Sequence, residues 1–234
     1  MKYALQILMI MAFAATSHAE DLRSYTKSKD SEIMSNAGLH MHASSANGQY
    51  LMTSDSRFII KGDFKIIDRF NGRQVSSMSE LRASKQFIDL NLIGIDPMEL
   101  ASASMGDRNA KHGALLFFNP LSDAMRPLLK KIERIHSKGQ FVHLVPFPTK
   151  ENSMEQVNDV ICAFQSNSEA TLQALLAGKT DFEHCAVQDK LMRSLLTASL
   201  LAQGEMPMAI TSSGRLLLGK AATQFDEIVA RDKQ

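Results

Sequence analysis

Apolar residues follow two rhythms along the chain. Between residues 39 and 68 they come as short runs at 39–42, 50–53 and 57–68, broken by Ser44-Ser45-Ala46-Asn47-Gly48 and Ser54-Asp55-Ser56. Short β-rich runs between such turn clusters argue an antiparallel meander. The polar stretch before it, 20–37, reads as a loose arm with a short helix near Ile33. Further on, the run 112–118 ends at Asn119-Pro120, after which Leu128, Leu129, Ile132 and Ile135 recur on one helical face. That is a buried strand turning straight into a helix. Gly139 stops this helix, and residues 141–148 form a second buried strand closed by Pro146 and Pro148. From 153 to 203 the period is helical throughout, with Val157, Val160, Ile161 and Phe164, then Leu172, Leu175 and Leu176, then Leu191, Leu195 and Leu196. A hairpin follows around Ser212-Ser213-Gly214, and residues 221–230 close as a helix carrying Phe225, Ile228 and Val229.

The segment 76–109 joins the two regimes. Ser77 or Ser79 is placed to cap a helix running through Leu81, Phe87, Ile88 and Leu90, and Asp96-Pro97 starts a second short piece. Residues 102–109 are small and polar and are expected to mark the domain boundary. The organisation is therefore a leader (1–19), a β-rich domain (20–75), a linker helix region (76–109) and a C-terminal domain (110–234). The fold class is α+β. The C-terminal order of strand, helix, strand, helical insertion, hairpin and helix is that of a thioredoxin fold.

Composition changes this picture in three places. Met1-Lys2, an uncharged stretch at 3–15 and Ser17-His18-Ala19 before Glu20-Asp21 make a secretory signal peptide cleaved after Ala19. A stretch of that length is too short to span a bilayer, which takes roughly 20 apolar residues, and no membrane insertion is expected. Lys plus Arg number 26 against 25 Asp plus Glu, without a basic stripe, so nucleic acid is not an expected partner. The only two cysteines, Cys162 and Cys185, pair in an oxidising compartment. Closing that loop contributes on the order of 3 kcal/mol. The rival reading, a redox-active pair, meets a spacing unlike Cys-x-x-Cys.

Four stretches in order resemble the bacterial periplasmic disulfide isomerases DsbC and DsbG. Residues 50–62 are similar to the second half of that family's dimerisation domain. Val145-Pro146-Phe147-Pro148 stands at its strand-ending Phe-Pro, and Cys162 and Cys185, with Ala177-Gly178-Lys179 between them, stand at its structural disulfide. Gly204-Glu205-Met206-Pro207 matches the loop whose proline is cis. The resemblance covers nearly all of the mature chain. It implies an N-terminal homodimer, a linker helix and a thioredoxin domain whose active turn faces a shared cleft. The departure lies at the site, where Ser122-Asp123-Ala124-Met125 replaces Cys-x-x-Cys. Isomerisation needs an ionised thiol at the helix start. A serine hydroxyl stays protonated and a thioether forms no disulfide. Pro127 is a second departure, expected to kink the helix or delay its start.

Other constellations carry less. Ser122 and Asp123 lack both a Gly-x-Ser-x-Gly elbow and a free histidine, since His143 falls in a strand. His40 and His42 share a strand face without a third ligand, so they read as an exposed pair and not a metal site. His136 suits a helix C-terminus, and His184 would tune a thiol at Cys185 only if the bridge opened. No cofactor is expected. The function that follows is a redox-inactive, non-enzymatic periplasmic protein that holds unfolded or partner polypeptides as a chaperone or assembly factor. Its vestigial turn is Ser122, Asp123, Ala124 and Met125, and its peptide-binding wall is Met125, Met206 and Pro207. The alternatives are an active thiol-disulfide interchange protein working through Cys162 and Cys185, and a scaffold component of an envelope secretion or conjugation machine.

Overall fold

The structure, a computed structural model, describes residues 31–35, 38–44, 48–55, 57–60, 62–107, 109–110, 112–135, 139–149, 152–186, 189–202 and 205–232. The expected leader, the turn at 45–47 and His136 lie outside the described residues. The chain divides into two compact units, one formed by residues up to Asp68 with Arg73–Ser84, the other by Arg69–Gly72 with Lys85–Gln234.

The first unit is built on the antiparallel sheet β1 (Ser31–Ser35), β2 (Leu39–Ser44), β3 (Gly48–Thr53) and β4 (Ile59–Ile60), paired in that order. Period-2 alternation decides its faces. Met41 and Leu51 point to a small core with Val75 and Leu81, against which Phe64, Ile66 and Met78 pack. His42 pairs across the ladder with Tyr50 on the opposite face. Strands β5 (Ile66–Ile67) and β6 (Gln74–Val75) form a separate ribbon, and helix α1 (Met78–Ser84) closes the unit. Ser77 Oγ accepts the Glu80 N–H at 3.2 Å, which makes it the cap. Two expectations are corrected here. The end of the arm, 31–35, is neither loose nor helical: its backbone is drawn into the sheet by pairing with β2. The pair at 40 and 42 is not an exposed one, because His42 is buried against Tyr50 with the rings stacked at 5.1 Å.

The second unit is a mixed five-stranded sheet of β7 (Ala103–Gly106), β8 (Gly113–Phe118), β9 (Phe141–Pro146), β10 (Met208–Thr211) and β11 (Leu216–Leu218), in the order β11-β10-β8-β9-β7. β8 runs parallel to β9 and antiparallel to β10. Every residue of β8 is buried, as a central strand covered on both faces requires. Helices α2 (Arg126–Glu133), α3 (Met154–Ser166), α4 (Ser168–Leu176), α5 (Asp189–Leu201) and α6 (Phe225–Arg231) complete it. Leu116 and Phe118 pack with Leu128, Leu129 and Ile132 of α2, Phe164 of α3 and Phe225 of α6. The alternate residues Leu115 and Phe117 pack with Ala198 and Leu201 of α5. Strand, helix, strand, helical insertion, hairpin and helix thus follow one another as in a thioredoxin fold. Among the described residues no helix is long and apolar enough to cross a membrane.

The joining segment departs from expectation. The helix stops at Ser84 because the residues after it pair with the terminal hairpin: Leu216 N–H donates to Gln86 O and Ile88 N–H to Gly214 O, at 2.8 and 2.7 Å. Gly214 has φ +81°, and a Cβ there would stand 2.6 Å from Ile88 O, so this approach needs glycine. Residues 102–109, expected as a boundary, contain edge strand β7, whose partners on β9 lie some 40 positions away and leave no local signal. Asp96 caps a single 3-10 turn, Pro97–Glu99. In the helical insertion, residues 179–186 are irregular, so Cys162 is helical and Cys185 is not.

Candidate functional site

The site begins where β8 leaves the core. Asn119 is 4% exposed, and its side chain makes the turn. Its Oδ1 accepts the Leu121 N–H at 3.0 Å, while Nδ2 donates to Thr149 Oγ1 at 2.8 Å and Asn152 Oδ1 at 2.6 Å. The Phe147 N–H also donates to Phe118 O at 2.8 Å. The exits of two neighbouring strands are therefore stitched together by one buried amide, which sequence reasoning passed over. The signal available was the Asn-Pro pair closing an apolar run, since Asn readily bonds a backbone N–H two residues on.

Beyond Asn119 the chain does not enter the helix directly. Ser122 is extended (φ −82°, ψ 129°) and precedes a 3-10 turn, Asp123–Met125, with the Met125 N–H donating to Ser122 O at 2.9 Å. The Ser122 hydroxyl makes no capping bond. Pro127 occupies the second position of α2, where its missing N–H costs the helix no internal bond. Asp123 is exposed and held by Arg126, whose Nε and Nη2 reach its Oδ1 at 3.0 and 2.9 Å. Arg126 in turn lies close to Gly178, where a Cβ would stand 3.3 Å from Nη2. The carboxylate at the start of the helix suits the dipole. Chemically the turn offers a hydroxyl, a thioether and a solvated ion pair.

The second wall is the loop entering β10. The Met206–Pro207 peptide is cis, and Pro207 is buried with its carbonyl accepting the Gly219 N–H at 2.8 Å. Met208 lies opposite Phe117 at the last pair of the antiparallel ladder, so the loop entering β10 arrives at the end of the sheet where β8 leaves it. The turn and the proline loop thus share one end of the sheet. Met206 is half-buried, and its backbone N–H and C=O have no hydrogen-bond partner among the described residues. The two methionines, expected together at the mouth of a cleft, pack against different clusters: Met125 with the α2 side of the sheet, Met206 with the α5 side. Cys162 and Cys185 form a disulfide and belong to neither wall.

No family model matches the chain, and no curated protein does. Among solved structures the chain is similar to Proteus mirabilis ScsC in a compact conformation, at 19% identity over 67% of this chain and 87% of that one, with a TM-score of 0.46. It is similar to the thiol-disulfide exchange protein alpha-DsbA2 from Wolbachia pipientis, at 13% identity, 67% and 99% coverage and a TM-score of 0.49. A periplasmic thioredoxin-like protein from Salmonella enterica serovar Typhimurium matches at 17% identity, 68% and 98% coverage and a TM-score of 0.43. The fold assignment rests on the strand order described above. These neighbours are thioredoxin-like proteins of the ScsC and DsbA kinds, and the narrower likeness to DsbC and DsbG stands on the residues alone.

Proposed function

We propose that this is an exported, periplasmic protein that holds extended polypeptide segments at the end of its sheet and has no redox pair at the turn where a thioredoxin fold would carry one. The observation that supports this best is the backbone of Met206, unpartnered among the described residues, at the same end of the sheet as the turn that carries Ser122 and Met125. An extended peptide can add to such an exposed N–H and C=O as a further strand, with Met206 supplying an adaptable apolar surface. The side chains of Ser122, Asp123, Ala124 and Met125 would then line the bound segment without forming a covalent bond to it. A chaperone or assembly factor fits these features.

Export brings the chain into a compartment where a disulfide persists, consistent with the bridged cysteines. Homodimerisation through the first unit is part of the proposal, supported by Phe58 and Ile60, both exposed, at edge strand β4.

The test is suppression of aggregation of a reduced, carboxymethylated client by the mature protein. Met206→Asp should raise the concentration needed by about tenfold, while Arg231→Glu, an exposed position on α6, should leave it unchanged. If Met206→Asp protects as well as the parent, the site lies elsewhere.

A further inference from the structure

Strand β7 is an edge of the second sheet, paired with β9 on one side only. In an antiparallel pair, successive residues turn their backbone groups alternately to the partner and away from it. The Asp107 N–H donates to Gln140 O at 2.9 Å, whereas the Phe141 N–H, opposite Gly106, turns to His112 O at 3.4 Å. Met105 therefore bonds β9, and Ser104 directs its N–H and C=O outward. Neither Ser104 nor Gly106 has a backbone hydrogen-bond partner off the ladder among the described residues. Two residues before Ser104 the same edge already takes an outside donor, since Gln165 Nε2 reaches Ser102 O at 3.2 Å.

The edge borders a groove of about 530 Å³, walled across from β7 by Glu133 at the end of α2 and by Glu169, Leu172 and Gln173 of α4. That size falls within the roughly 300–1,000 Å³ of ligand-binding clefts. Among the described lining residues only Glu133 and Glu169 are charged; the basic residues around Glu133, Lys130, Lys131 and Arg134, do not line it. Gln173 Nε2 donates to Glu133 Oε1 at 2.7 Å, and among the described residues no ion pair engages either carboxylate. An open backbone edge thus faces a groove of negative charge.

We propose that this edge binds an extended polypeptide segment by strand addition, the segment carrying a basic and an apolar side chain two positions apart. Side chains alternate along a strand. The residue bonded to Ser104 projects to the same face as Ser104, and its two neighbours project to the face of Met105, which packs with Ile132 and Leu172. One of those neighbours meets the carboxylates and the other the apolar surface at Met105, while the backbone bonds to Ser104 set the register. A second copy of the chain would bring the same carboxylates to the edge, so charge opposes pairing of β7 with itself. The site is separate from the loop at Met206, because β8 and β9 lie between β7 and β10.

The experiment measures, by fluorescence anisotropy, binding of the labelled peptide Gly-Thr-Lys-Thr-Val-Thr-Gly to the mature protein, against the same peptide with Glu in place of Lys. The Lys peptide should bind about tenfold more tightly at low salt, with a preference that shrinks as salt rises. Glu133→Lys with Glu169→Lys, both at exposed positions, should reverse the preference. Ser104→Pro removes an outward N–H and no ladder bond, which an edge strand tolerates, and should abolish binding. N-methylation of the Thr between Lys and Val should do the same with the protein unaltered, which decides the matter even if Ser104→Pro does not fold. No binding of either peptide, equal binding of both, or full affinity of the N-methylated peptide overturns the proposal. Met206→Asp should leave the affinity unchanged; a loss there would put the peptide at the β10 loop and overturn this second site, while the aggregation assay tests the first by itself.

Discussion

Replacing Asn119 by alanine tests how the turn is held. The side chain makes three hydrogen bonds, to the Leu121 N–H, Thr149 and Asn152, from a position that is almost fully buried. At roughly 1 kcal/mol for each net bond the ceiling is about 3 kcal/mol. Thr149 and Asn152 are half-buried and regain water in the variant, which brings the expected loss to about 2 kcal/mol. For a unit of this size that lowers the melting temperature by about 4–8 °C. Urea unfolding followed by circular dichroism measures the total. Hydrogen exchange on the peptide spanning 119–125 measures the local part, because the Leu121 amide loses its acceptor. Asn152→Ala alone removes one of the three bonds and should cost about 1 kcal/mol, with a coupling of similar size in the double-mutant cycle. A loss under about 0.5 kcal/mol for Asn119→Ala, or unchanged exchange at Leu121, would refute the view that this amide fixes the turn.

Two further outcomes follow from the first unit. Burial, reinforced by the neighbouring His40, holds His42 below its ordinary value of 6.5. Below that value the unfolded chain takes up a proton that the folded chain resists, so this residue makes stability fall as pH drops through the mid-6 range, until the lowered folded value is passed. His42→Phe, which keeps a ring against Tyr50, should flatten the acid side of the urea midpoint between pH 7.5 and 5.5; an unchanged slope would assign it to other groups. Ile60→Lys places a charge on edge strand β4 and should abolish the proposed self-association in sedimentation equilibrium, and a dimer of unaltered affinity would exclude that edge.

The sequence determined the elements that carry a strong local period. The wholly apolar run of β8 and the α2 face of Leu128, Leu129 and Ile132 follow from spacing. It also determined what the turn cannot do, since chemistry at Ser122 and Met125 is limited by the atoms they carry. Only the tertiary structure decided the rest, because the deciding partners are distant in the chain. β7 is a strand because β9 lies beside it, residues 86–88 leave the helix because the hairpin at 214–216 takes their backbone, and His42 is buried because Tyr50 pairs with it across the ladder. For the same reason Met125 and Met206, alike as residues, pack against different clusters of the second unit: one leads into α2 and the other into β10, and which cluster each meets is not visible until the sheet and helices are assembled.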